Sequence, residues 1–142
     1  MRFVRDGDRG SERPGLLDND DRIRDLSEHL SSQTSESLDP DRLAAAGRLD
    51  PVSLPLVADG VRLCKPVRRI GKIIGVGPNY HDAAAQAGFK VNPEPTLFLK
   101  AATAACGPND RIELPKLASR VDWGVELAVV ICRTAKYVSV EE

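Results

Sequence analysis

Between residues 121 and 131 apolar side chains recur at every second position. Val121, Trp123, Val125, Leu127, Val129 and Ile131 fall on one face, and Asp122, Gly124, Glu126, Ala128 and Val130 on the other. Successive side chains of a β-strand point to opposite faces, so this period of two predicts a strand, the clearest in the chain. Shorter strands are expected over Arg2–Arg5, Gly15–Leu17 and Arg22–Arg24, with the polar cluster Asp18-Asn19-Asp20-Asp21 as the hairpin turn between the last two. Ile70–Val76 reads as a buried strand broken by Gly75, Gly77 and Pro78, and Thr96–Lys100 and Arg111–Leu114 read as two more.

Helical signals are fewer. Leu26–Leu30 predicts a brief helix, and Ser31–Ser35 a loop by composition. Asp39-Pro40 is a stronger start, with Asp as N-cap and Pro at the first helical position, followed by Leu43 and alanines up to Gly47. Tyr80–Ala87 is alanine-rich and predicts one or two turns. Ser139 followed three residues later by Glu142 is a capping-box pattern with no helix after it, which gives the expectation of a truncated chain. Frequent prolines and poor periodicity over Pro51–Pro66 predict a linker. The expected organisation is therefore a small N-terminal domain over residues 1–60 and a second domain over 61–142.

Composition narrows the function classes. At 142 residues, 42% hydrophobic and 29% charged, the chain is ordinary for a soluble protein. A net charge of -1 supplies no field to recruit nucleic acid or acidic lipid. The basic stretch Lys65–Lys72 has no interleaved aromatic to stack bases and is expected to be a solvated linker. The longest strongly apolar run, Leu127–Cys132, is far too short to span a bilayer, and the N-terminus is charged throughout. Cys64, Cys106 and Cys132 form no CxxC pair. Their odd number and the missing signal segment lead to an expectation of reduced, packed thiols in the cytoplasm.

Two residues stand out for chemistry. Glu126 lies within the most apolar strand beside small Gly124 and Ala128, which would leave room for a cation or ligand; a solvent-facing Glu is the plainer alternative. His81 follows Asn79-Tyr80 near a Gly-Pro turn and is a candidate general base, or a solvated loop histidine. Gly75-Val76-Gly77 lacks the third glycine of a dinucleotide-binding turn.

The segments IIGVGPNYHDAAAQAG, PEPTLFLKAATAACGPNDRIELP and VDWGVELAVVI resemble three successive signatures of the fumarylacetoacetate hydrolase superfamily, and RPGLLDNDDRIRDLS resembles the small N-terminal domain of its bacterial members. The resemblance implies an α+β architecture: a small N-terminal α+β domain, then a β-rich catalytic roll that would be incomplete here. It also implies metal-assisted chemistry on small 2-oxo acids or ureidoglycolate: hydrolase, lyase or decarboxylase reactions. In these enzymes Mg²⁺, Mn²⁺ or Ca²⁺ is held by the two Glu of a Glu-x-Glu strand and a later Asp, and stabilises the enolate formed on C–C cleavage. A His-Glu pair activates water or moves protons.

Matched position by position, Glu126 corresponds to the second strand Glu, but Gly124 stands where the first should be. Carboxylates at i and i+2 lie roughly 7 Å apart on one face, whereas Asp122 would lie roughly 13 Å from Glu126. Ala83 occupies the His position and Gln86 the Glu position; Gln cannot accept a proton near neutral pH. His81 lies two residues early, about 200° around a helix. Asn79, Tyr80, Phe98 and Lys100 match, and Lys100 is a candidate to line the substrate approach. The sequence thus leads to a family polypeptide of impaired catalysis that binds Mg²⁺ or Mn²⁺ weakly or not at all. The alternative is a non-catalytic binding or assembly module, forming a homo-oligomer or pairing with a full-length relative through open strand edges.

Overall fold

The computed structural model describes residues 1–31, 38–90 and 93–140. The chain forms two compact units, one of Met1–Arg68 with the segment from Gly107 onward, the other of Arg69–Cys106.

In the first unit β1 (Arg2–Asp6), β2 (Arg13–Leu17) and β3 (Ile23–Asp25) form an antiparallel sheet in that order, with Arg2 opposite Leu17 and Leu17 opposite Ile23. The expected hairpin is present, and Asp18 builds its turn. One carboxylate oxygen accepts from the backbone N–H of Asp20 and Arg22 at 2.9 and 3.0 Å, and the other from Arg24 Nε at 2.9 Å. Burial pushes the Asp18 carboxyl up, but these donors outweigh it and hold the group below the usual carboxylate range. Leu16 and Leu26 are fully buried and, with Leu30, Ala46 and Leu54, make the core, with Phe3 and Leu49 packed against it. Ala46 arrives on α1 (Pro40–Ala46), whose start is the expected one: Asp39 caps the N–H groups of Asp41 and Arg42, and Pro40 occupies the first turn.

The expected Leu26–Leu30 helix is a single turn. Leu30 N–H donates to Leu26 C=O at 2.8 Å, and nothing prolongs it because no apolar repeat continues through Ser31. The predicted loop from Ser31 to Ser35 falls almost wholly outside the described residues. Pro51–Pro66 is not the free linker expected. A 3₁₀ turn at Pro51–Ser53 leads to buried Leu54, Leu56 bridges Arg24 beside β3, and Leu63 bridges Asp6 beside β1. The segment therefore lies along both edges of the sheet. Its prolines lack the donors for a continuous ladder, which is why it reads as irregular yet packs.

The second unit holds β4 (Ile73–Gly77), α2 (His81–Gln86), β5 (Thr96–Lys100) and a 3₁₀ turn at Ala102–Ala104. β4 and β5 pair antiparallel, Ile73 opposite Lys100 and Gly77 opposite Thr96. β4 is not buried as expected: Ile74 and Val76 are exposed, as is all of β5, because a two-stranded ribbon offers neither face a covering layer. Gly75 is required here, since the Phe98 ring from β5 lies where a Cβ would sit.

Two further strand expectations fail. Residues 111–114 and 121–131 are irregular in the described structure. The alternation in the second is real, but a strand is defined by its ladder, and no described segment pairs with it. The capping expectation at Ser139 depends on residues 141–142, outside the described set. Of the thiols only Cys64 is buried as expected; Cys106 is exposed and Cys132 half-buried. No described helix is long and apolar enough to cross a membrane.

Candidate functional site

The residues that follow β4 turn into α2 and face the residues that lead into β5. Between them lies an open cleft of about 250 Å³. Its walls include Pro78 and Pro95, and its polar groups come from Asn79, Tyr80, His81, Glu94 and Thr96. The β4–β5 register brings these two chain segments together, because Gly77 and Thr96 are the last pair of the ladder. The cleft is slightly smaller than a drug-sized pocket and suits a small polar molecule.

α2 sets the direction of the three helical candidates. Ala84 is its one buried residue and faces inward; Ala83 and Gln86 are exposed. The helix stops at Gly88, whose positive φ of +70° lets Phe89 N–H return to Ala84 C=O at 2.9 Å. His81, at the first helical position, lines the cleft, whereas Ala83 and Gln86 do not. The angular separation inferred from sequence thus places the histidine in the cleft and the matched proton-transfer positions outside its wall. Lys100 lies at the opposite end of β5 from Thr96, roughly 13 Å along the strand, with Nζ 5.8 Å from the centre of the Phe98 ring.

Glu126 and Gly124 belong to the first unit and are exposed. A Cβ at Gly124 would meet only Glu126 Oε1, at 3.8 Å, so space for a second carboxylate exists but the carboxylate does not. Asp122 is turned onto its own backbone, Oδ1 accepting from Trp123 N–H at 2.8 Å. Among the described residues no three His, Cys, Asp or Glu side chains converge. A hard divalent cation needs several oxygen ligands, and the described side chains do not bring that many together.

Sequence reasoning missed a charged cluster in the first unit. Arg62 clasps Asp110, which also accepts from Gly107 N–H at 2.8 Å, and Arg62 Nη1 reaches Cys64 Sγ at 3.1 Å. The Gly-Pro-Asn-Asp motif at residues 107–110 was visible, but its basic partner lies 48 residues earlier in a stretch without periodicity. Gly107 itself is required because a Cβ there would run into the Leu63 carbonyl. Buried Arg5 is a second such anchor, donating to Lys65 C=O at 3.1 Å and Glu12 at 3.3 Å.

Comparison with known proteins adds a lineage to this geometry. The family described as fumarylacetoacetate (FAA) hydrolase C-terminal matches residues 72–142. A 2,4-didehydro-3-deoxy-L-rhamnonate hydrolase of a Sphingomonas species is 45% identical over 142 residues, covering 100% of this chain and 48% of the relative. A Burkholderia ambifaria protein whose name carries the word hydrolase is 47% identical over 136 residues, 96% of this chain and 48% of that one. The chain thus spans about half the length of the curated relatives it matches.

Proposed function

Because the chain belongs to the fumarylacetoacetate hydrolase family, we propose that it carries the small-acid recognition part of a C–C bond hydrolase acting on a 2-oxo acid, without the groups needed to complete the reaction by itself. The observation that carries this reading is the cleft between the β4–α2 turn and the entry to β5, where Asn79, Tyr80, His81 and Thr96 present donors and acceptors. A short oxo-acid presents a carboxylate and a carbonyl, each an acceptor for such donors.

The titratable side chains in the cleft wall are Tyr80, His81 and Glu94, of which His81 is the imidazole suited to a general base. At the matched proton-transfer positions Ala83 carries no titratable atom and Gln86 can only hydrogen-bond. A divalent ion in this family would polarise the oxo-acid oxygens, and Glu126 alone supplies too few oxygens to hold one. The relative's name supplies a substrate class, a deoxy sugar acid, and we extend that class to this chain as short 2-oxo acids bearing hydroxyl groups.

The test is isothermal titration of pyruvate, oxaloacetate and 2,4-didehydro-3-deoxy-L-rhamnonate into the chain and into His81→Ala and Thr96→Val, with turnover followed in parallel. Binding by the parent, weakening in both variants and absent turnover is the expected pattern. No binding, or binding indifferent to both substitutions, removes the cleft from consideration. Turnover by the unaltered chain overturns the claim that its residues at the matched positions cannot complete the reaction.

A further inference from the structure

The two banks of the cleft carry opposite chemistry. The β4–α2 bank offers donors: the Asn79 amide, the Tyr80 hydroxyl and the His81 imidazole. The bank that leads into β5 offers Glu94, set in the run Pro93-Glu94-Pro95. Proline has no N–H, so neither residue flanking Glu94 gives an anion a backbone donor. Pro95 also confines the Glu94 backbone to the extended region, which narrows the directions open to its side chain. Among the described residues no ion pair engages Glu94. One side of the cleft therefore donates, and the other holds a carboxylate that no described cation neutralises.

Such a cleft sorts ligands by what they carry at each end. The banks diverge from the Gly77–Thr96 pair, where neighbouring strands lie about 4.8 Å apart, so a chain of a few carbons reaches both. A 2-oxo acid sets its carboxylate against the donors of Asn79 and His81, and its far end then falls toward Glu94. A hydroxyl there donates to the Glu94 carboxylate. A second carboxylate only accepts, and like charges at that range repel.

We propose that Glu94 is a specificity-determining residue of this cleft: it favours monocarboxylic 2-oxo acids with a hydroxylated tail and disfavours dicarboxylic ones. The inference rests on the reading of the cleft as a 2-oxo-acid site, and adds which acids it selects.

The test compares 4-hydroxy-2-oxobutanoate with oxaloacetate, two four-carbon 2-oxo acids that differ only at C4, hydroxymethyl against carboxylate. Both are titrated calorimetrically into the full 142-residue chain and into Glu94→Gln, Glu94→Asp and His81→Ala, at low and high salt. The parent is expected to hold the hydroxy acid at least about tenfold more tightly than oxaloacetate. Glu94→Gln should reduce that preference to about twofold or less by tightening oxaloacetate, and Glu94→Asp should keep most of it. Added salt should narrow the parent's preference and leave that of Glu94→Gln in place, because screening acts on the charge alone. A merely structural Glu94 would lower both affinities together and leave their ratio unmoved. His81→Ala should weaken both acids alike. If both acids bind and His81→Ala weakens them, but Glu94→Gln leaves the ratio unchanged, the assignment of Glu94 is overturned while the cleft stands. If neither acid binds, or His81→Ala changes nothing, the cleft reading falls and the assignment falls with it.

Discussion

Arg62 and Asp110 meet side-on: Nε lies 2.8 Å from Oδ1 and Nη2 2.6 Å from Oδ2, so guanidinium and carboxylate form a two-bond fork across 48 residues of chain. The fork ties the turn at Gly107–Asp110 to the segment along β1, where Arg62 C=O also accepts from Gly7 N–H at 3.0 Å. The Arg62 hydrogen bonds, aided by Gly107 N–H, hold the Asp110 carboxyl far below the usual carboxylate range, and Asp110 in turn pushes Arg62 further up.

A depressed native carboxyl contributes stability that is complete above the unfolded value, about 3.9, and is lost as pH falls through the native one. Asp110→Asn places an amide that can donate against a group that only donates. Its unfolding midpoint should lie below that of the parent at pH 7, and the gap should close as pH is lowered beneath about 4. A gap constant from pH 7 to pH 2 would show that the fork carries no charge-dependent stability.

Asp6 should behave with the opposite sign. It is 3% exposed, its Oδ1 has no hydrogen-bond partner, and burial, then Asp25, push its carboxyl up while Arg13 opposes them. A raised native carboxyl lowers stability as pH rises from the unfolded value toward the native one, because ionisation is disfavoured only in the folded state. Asp6→Asn is therefore expected to raise the urea midpoint at pH 7, with the gain vanishing below about pH 4. A destabilised Asn variant at neutral pH would mean that the second carboxylate oxygen makes a contact worth more than the burial cost.

The division between packed and unpartnered apolar residues predicts unequal costs for the same chemical change. Leu16→Ala, at a fully buried position with Leu26 and Leu30 around it, should cost about 2–5 kcal/mol in denaturant unfolding. Leu127→Ala, 80% exposed, should stay within about 0.5 kcal/mol. If Leu127→Ala instead costs as much as Leu16→Ala, residues 121–131 are packed in solution.

How far the sequence could be read follows from where each interaction partner lies. The Asp18 hairpin and the Asp39-Pro40 helix start are local, with all their partners within a few residues, and both stand as read. β5 was legible to the residue, because Thr96–Lys100 is bounded by Pro95 on one side and the alanines after Lys100 on the other. Val121–Ile131 misled because alternation reports a strand's preference and not the presence of a partner. Pro51–Pro66 misled in reverse: prolines erased its periodicity while Leu54, Leu56 and Leu63 still found the sheet. In the candidate site, His81 was named from its neighbours, but its place in the cleft depends on Gly77 pairing with Thr96, a contact that no local signal announces.

The last prediction concerns metal and catalysis together. Glu126 is the sole carboxylate at the two matched positions, and a Cβ at Gly124 would meet only Glu126 Oε1, in ordinary contact at 3.8 Å. Calorimetric titration of the chain with Mn²⁺ should show no tight site, since one carboxylate supplies too few oxygens for a hard cation. Gly124→Glu would place a second carboxylate beside Glu126, whose Oε1 lies 3.8 Å from where a Cβ at Gly124 would sit, and should bind Mn²⁺ measurably more tightly than the parent. It should still not turn over a 2-oxo acid, because a missing general base commonly costs about 10² to 10⁴ in rate and Ala83 and Gln86 supply none. Gly124→Glu with Ala83→His and Gln86→Glu separates the two losses: metal binding should match that of Gly124→Glu, and any turnover should appear only in the triple variant. Effects on one transition state do not add independently, so the comparison is between presence and absence of turnover and not between increments. Micromolar Mn²⁺ binding by the unaltered chain would show that donors other than Glu126 converge in solution, and the reading of Gly124 as the missing ligand would have to be abandoned.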